Sequence, residues 1–229
     1  LETTSGLKQR LLSTTERIAA SCAHQVICVG ESLRDEFVRR KLVRRDKTIV
    51  LRMGSSNGIN AQRFQYSVEQ FHQIEQLRAS LSIPADVPVI GFVGRLTRDK
   101  GLVDLHEAFQ RLLQEFPELR LVLIGWPEEG DPIPSRIWQR IENHPQIIRT
   151  GAIKDVSLYY GLFDVFVFPS YREGFPNVPL EAAAAGVPVV GYAATGTLDA
   201  VADGVTGTLV PLHDSATLAA ATACYLRNP

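Results

Sequence analysis

The sequence predicts an α/β fold with a doubly wound parallel sheet, on three observations. From about residue 80 onward, short β-branched runs alternate with helical patterns. The strand candidates, VFVF being the clearest, are continuously apolar rather than alternating, and glycine or proline bounds them. A strand that is apolar on both faces has to be covered on both, and helices packed on the two sides of a parallel sheet do this.

The elements follow in order. A helix around Ser13 to Ala23, a strand QVICV, a helix SLRDEFVRR and a strand TIVLR make one small unit, closed by the loop MGSSNGIN with its Asn57-Gly58 turn signal. One βαβ unit cannot bury both of its faces. Residues 1–60 are therefore read as the tail of a preceding domain, with residues 54–65 as the crossover and residues 61–229 as the main domain. There, strand VPVIGFVG leads into GLVDLHEAFQRLLQEF, which places Leu102, Leu105, Phe109, Leu112, Leu113 and Phe116 on one stripe at the helical period. LRLVLIG, a helix near Arg136 to Glu142, QIIRTG, VSLYYGLF, DVFVFPS, the Ala-rich LEAAAAG, VPVVGY, GTLVP and a helix from Ser215 continue the alternation. Gly196 and Gly207 read as turns with little functional weight. The architecture expected is a Rossmann-like domain.

Composition limits the function. With 45% apolar and 21% charged residues among 229, the chain is neither disordered nor fibrous. No apolar run approaches the ~20 residues of a membrane span. The start at Leu1 lacks a signal-peptide pattern and an initiator methionine, so the sequence reads as a piece of a longer chain. Cys22, Cys28 and Cys224 lack metal-ligand spacing and read as buried, unpaired thiols of a cytosolic protein. The five histidines are scattered singly, so no metal site and no cofactor are expected. Residues 1–60 carry 11 basic and 6 acidic side chains, and the remainder 13 and 19. The basic excess lies in Arg34 to Arg52, as Arg39, Arg40, Lys41, Arg44, Arg45 and Lys47. A solvated helix end is the first reading of that cluster. A face toward an anionic membrane is the second. The acidic larger part has no basic aromatic groove for nucleic acid, and the absence of GxGxxG argues against a dehydrogenase.

In open parallel sheets, ligands bind beyond the carboxyl ends of strands, where loops enter helix N-termini. Gly94-Arg95-Leu-Thr-Arg98-Asp-Lys100-Gly101 is one such loop, a cradle for a diphosphate or else a basic surface loop. Pro169 to Glu181 is a second. Its Glu173 and Glu181 flank the turn Gly174-Phe175-Pro176-Asn177, and only Glu181 lies firmly on the following helix. A carboxylate can accept two hydrogen bonds from a vicinal diol, and N–H groups at Phe175, Asn177 and Val178 can face an anion or sugar oxygens. The alternative is that both acids merely favour a helix start. Gly151-Ala152-Ile153 with Leu158 offers an apolar edge for a base, or simply core packing.

The series Asn57-Gly58-Ile59-Asn60 before Phe64, then GRLTRDKG, LVLIG, GAIKD, DVFVFPS and YREGFPNVPLEAAAAGVPVV, closely resembles the family-four group of retaining glycosyltransferases. The resemblance runs from Ser13 to Arg227 and is closest to bacterial enzymes of polysaccharide and lipid-linked glycan synthesis. It implies the C-terminal half of a GT-B arrangement, two Rossmann-like domains facing across a cleft. The implied reaction moves a hexose from a nucleotide-diphosphate sugar, a UDP-sugar, to a glycan or lipid-linked glycan. Arg95 and Lys100 would hold the diphosphate, Glu181 the ribose diol, and Glu173 with Gly174, Phe175, Pro176 and Asn177 the transferred sugar. Val178 would contact phosphate through its backbone and Ile153 would flank the base. The implied partners are the donor, the acceptor and the missing N-terminal domain; without that domain this piece would bind donor without transfer. A non-catalytic nucleotide-sugar-binding or assembly module is the alternative. Two departures stand out. Gly125-Trp126-Pro127-Glu128 replaces the usual Gly-x-Gly-Pro, and Pro176 replaces a glycine.

Overall fold

The computed structural model describes residues 6–55 and 57–228. Leu1, on which the reading of a longer chain partly rests, lies outside the described residues, as do Ser56 of the crossover and Pro229. The first unit comprises α1 (Gly6–Cys22), β1 (Val26–Cys28), α2 (Glu31–Arg39) and β2 (Thr48–Val50). Its two strands pair in parallel, Val26 opposite Thr48 and Cys28 opposite Val50. Helix α1 starts well before Ser13 and buries none of its described residues. Leu7, Leu11, Ile18 and Ile27 are exposed, as expected of a unit that cannot cover both of its faces.

A 3-10 turn (Ala61–Phe64) and α3 (Val68–Ser80) lead into β3 (Val89–Val93), α4 (Leu102–Leu112), β4 (Arg120–Ile124), α5 (Ser135–Asn143), β5 (Ile147–Gly151) and α6 (Ser157–Tyr160). Then come β6 (Val165–Phe168), α7 (Val178–Ala184), β7 (Val189–Tyr192), α8 (Thr197–Ala200), β8 (Gly207–Val210) and α9 (Ser215–Arg227). All six strands are parallel, in the order β5-β4-β3-β6-β7-β8. Every residue of β3, β6 and β7 is buried, which is why these segments read as unbroken apolar runs.

The pleat sends alternate residues to opposite faces. Ile90 and Phe92 join a core with Leu102, Leu105, Phe109 and Leu112 of α4 and Leu218 of α9, while Val89 and Val93 join a second core with Phe64, Ile74 and Tyr160. The sheet is therefore wound on both sides. The sequence reading missed α3, although Ser67 and Gln70 form a capping box at its start. Its apolar signal is thin: Ile74 is buried, but Val68 and Phe71 are exposed. One expectation about the cysteines is corrected. Cys28 is buried, and burial raises its thiol pKa, whereas Cys22, the last residue of α1, and Cys224, on α9, are exposed. No described helix is long and apolar enough to cross a membrane.

The basic cluster of the first unit is knitted into the structure. Arg39 and Arg40 pair with Glu36, Arg44 with Asp46 and Arg45 with Asp35. Lys47 donates to the carbonyls of Ala20, Ser21 and Ala23 at 3.3, 2.7 and 2.8 Å. A cation thus satisfies the open carbonyls at the C-terminus of α1, where the helix dipole favours it.

Candidate functional site

The strand order reverses between β3 and β6, and the two loops that leave these strands carry the chemistry. The first runs from Gly94 to Gly101 and enters α4. Gly101 has φ +72°, and a Cβ there would lie 2.0 Å from the Pro169 carbonyl oxygen. Only glycine lets the two loops approach so closely.

That approach sets Lys100 against Glu173, with Nζ 2.5 Å from Oε1 and both side chains 14% exposed. Ser170, wholly buried, donates its hydroxyl to the same oxygen at 2.7 Å. The Glu173 amide donates to the Thr195 carbonyl at 2.9 Å. Gly196 lies so close behind that a Cβ would stand 2.8 Å from the Glu173 Cβ. Gly196, read from sequence as a turn of little weight, is thus part of the packing that fixes Glu173.

Arg95 reaches from the same loop to Glu128 at 2.8 Å and to Asp99 at 3.5 Å, and the bond to Glu128 raises its guanidinium pKa. Asp99 is nearly buried, accepts from the Thr97 hydroxyl at 2.5 Å and also faces Arg172 at 3.8 Å. A cleft of about 430 Å³ opens in front of these groups, walled by Arg95, Arg172, Glu173 and Gly174 on one side and by Glu36 and Phe37 of α2 on the other. The two walls are joined. The Ser32 hydroxyl and amide donate to the Asp199 carboxylate at 2.5 and 3.1 Å, and the Gly196 amide donates to the Ser32 hydroxyl at 2.8 Å.

Glu181 stands apart from this group, in the first turn of α7. Tyr160 donates its phenol to Glu181 at 2.9 Å and lies 3.2 Å from the Val178 carbonyl. Burial, reinforced by the Glu181 charge, pushes that phenol well above its ordinary pKa, so it remains a donor. Val178 and Ile153 pack against the same apolar cluster, the one that contains Tyr160. Phe175 and Pro176 are buried, and the Phe175 ring lies so near the crossover that a Cβ at Gly54 would stand 3.2 Å from it. Asn177 is half-buried, and its Oδ1 is buried with no hydrogen-bond partner among the described residues. The dipole account of the two acids fits Glu181 alone, since Glu173 precedes the helix.

Sequence reasoning did not assign Ser170, Asp99, Tyr160, Ser32 or Asp199. The serine and Asp99 lie inside motifs that were read for other residues; the remaining three act through contacts distant in sequence. Arg95 and Lys100 thus stand beside a helix start at the point where strand order reverses, the place in open parallel sheets where ligands are usually bound. No group of three or more His, Cys, Asp or Glu residues capable of holding a metal occurs among the described residues.

The family model described as "Glycosyl transferases group 1" matches residues 87–228, well over half of the chain. The chain belongs to this family. The capsular polysaccharide biosynthesis glycosyltransferase CapM of Staphylococcus aureus is 34% identical to this group 1 chain over 218 residues, 93% of the chain and 55% of CapM. The putative teichuronic acid biosynthesis glycosyltransferase TuaC of Bacillus subtilis is 34% identical over 174 residues, 75% of the chain and 39% of TuaC. The group 1 chain thus spans about half or less of the length of these curated relatives. Among solved structures, Anabaena Alr3699/HepE in complex with UDP superposes with a TM-score of 0.82 over 96% of the chain and 60% of HepE, at 24% identity. Sucrose-phosphate synthase from Thermosynechococcus elongatus superposes with a TM-score of 0.78 over the whole chain and 56% of its own, at 29% identity. The sheet described above is the C-terminal Rossmann-like domain of the GT-B fold.

Proposed function

We propose that this group 1 chain is the donor-binding part of a retaining glycosyltransferase that moves a hexose from a UDP-sugar to a glycan or lipid-linked glycan. The observation that carries the reading is the convergence of Arg95, Lys100 and Glu173 where β3 and β6 diverge. The leaving group of such a reaction is a nucleoside diphosphate, and its growing negative charge needs cations already in place. Arg95 and Lys100 supply two, with no metal required. Lys100, already on Glu173, bridges the diphosphate to the carboxylate beside the transferred sugar. Tyr160 occupies one oxygen of Glu181 and leaves the other free to accept from the ribose diol.

Retention follows from attack on the face that the diphosphate leaves, so no protein nucleophile is needed. Reaction also requires the acceptor oxygen and the sugar carbon within ~3 to 3.5 Å. An acceptor-side domain would impose that distance, and this chain by itself binds donor without transfer. The chemistry of CapM, TuaC and HepE as named supports a UDP-sugar donor and a polysaccharide product.

The test is calorimetric titration of the 229-residue chain with UDP and GDP, without added metal, beside Glu181→Ala. UDP is expected to bind, and loss of the diol contact to weaken it about tenfold, the effect of a hydrogen bond to a charged group. A folded chain that binds neither nucleotide, or a variant with wild-type affinity, overturns the assignment.

A further inference from the structure

The loop that departs from the family pattern, residues 125–131, is braced across the cation loop. Leu96 donates its amide to the Trp126 carbonyl at 2.7 Å, and Arg98 donates to the Asp131 carbonyl at 3.1 Å. The Asp99 amide donates to the Asp131 carboxylate at 2.6 Å. These anchors lie on both sides of Glu128, Glu129 and Gly130, which are all exposed. The loop therefore presents Glu128 to Arg95 in a fixed place. The pair it makes differs in kind from Lys100–Glu173. Lys100 and Glu173 are largely buried, whereas Arg95 and Glu128 are 49% and 46% exposed and open to exchange with solvent ions. Asp99, nearly buried, holds the other side of the guanidinium at 3.5 Å.

We propose that Glu128 is a built-in competitor for the donor's diphosphate, held on Nη1 of Arg95 until the nucleotide arrives and displaced by it. This rests on the donor reading above and adds to it a residue that sets affinity. Nη2 faces Asp99, so a phosphate oxygen that takes Nη1 competes with the Glu128 carboxylate for it. Asp99 keeps Arg95 in position during the exchange. The competitor lowers affinity for the diphosphate product as well as for the donor, and product departure is correspondingly faster.

The test is titration of UDP at low ionic strength into the wild-type chain, Glu128→Gln, Glu129→Gln, Arg95→Ala and the double variant Arg95→Ala/Glu128→Gln, with circular dichroism melts confirming that each folds. Glu128→Gln is expected to bind UDP about two- to fivefold more tightly, the most that an exposed ion pair is worth. Glu129→Gln, on the same exposed segment but with no part in the pair, is expected to match wild type. In the Arg95→Ala background the glutamine is expected to change nothing. Unchanged or weakened binding by Glu128→Gln overturns the proposal. So does an equal gain from Glu129→Gln, or a gain that persists without Arg95, since both would reflect the general field of the loop. The donor reading is judged separately by Arg95→Ala, which should lose about 10- to 100-fold. If it binds UDP as wild type does, that reading fails and the competitor fails with it.

Discussion

Replacement of Lys100 by methionine separates its structural role from its binding role. Methionine keeps the length of the stem and removes the charge. Glu173 then keeps the Ser170 hydroxyl, which donates to its Oε1 at 2.7 Å. Breaking a fully buried ion pair from one side costs about 3 to 5 kcal/mol. Both side chains here keep 14% exposure and one hydrogen bond survives, so about 1 to 3 kcal/mol is expected. For a chain of this size that lowers Tm by about 2 to 4 °C per kcal/mol. Adding Glu173→Gln removes the stranded charge. The double variant should then recover part of the loss, with a coupling of about 1 to 3 kcal/mol between the two sites. UDP affinity should fall about 10- to 100-fold in both variants, because restoring stability does not restore the cation. Urea unfolding followed by circular dichroism reads the first effect and calorimetry the second. Strictly additive stabilities refute the pair as a structural unit, and unchanged UDP affinity refutes Lys100 as a phosphate ligand.

Two further outcomes follow from contacts outside the cation loop. Asp199 caps the N-terminus of α2 from a distant part of the chain, where Gly30 supplies no side-chain cap of its own. Asp199→Ala should cost about 0.5 to 2 kcal/mol, the value of an N-cap, and speed hydrogen exchange in the first turn of α2 while β3 and β6 keep their protection; equal loss of protection in those strands would show that Asp199 supports the main sheet instead. His106 is buried with its Nδ1 unpartnered among the described residues, and burial lowers its pKa below the ordinary value of 6.5. The unfolded chain therefore binds a proton that the folded chain refuses, so the stability is intact above about pH 6.5 and declines as pH falls below it. Urea midpoints between pH 7 and pH 5 should drop, and His106→Leu should flatten the slope; His144, also lowered by burial, leaves a residual dependence. An identical slope in the variant sinks the assignment to His106.

The elements that could be read from sequence are those whose signal is local. The unbroken apolar run of β6 and the helical stripe of α4 report how many faces each buries, and both elements are found, although α4 closes at Leu112 and leaves Leu113 and Phe116 of the expected stripe beyond its end. Helix α3 was missed because a single buried isoleucine makes a faint stripe, though its capping box was written in Ser67 and Gln70. The cation loop and the two glutamates could be singled out because glycines and charged side chains in loops that enter helices have a recognisable chemistry. Phe175 and Pro176 show the limit of such reasoning. Their place in the turn was legible, but their burial depends on what packs over them.

The sequence by itself determined the parallel α/β sheet, the strand ends that carry the candidate site, and most of the residue types in it. Tertiary structure alone decided which of those residues meet. Lys100 and Glu173 are 73 positions apart, and no periodicity reaches across that distance. Their contact exists because the chain order reverses between β3 and β6 and because Gly101 has no Cβ to hold Pro169 away. The same holds for Tyr160 on Glu181, for Asp199 on α2 and for Glu128 on Arg95. A side chain's pattern along the chain reflects the environment it needs, whereas its partner is set by where the backbone returns.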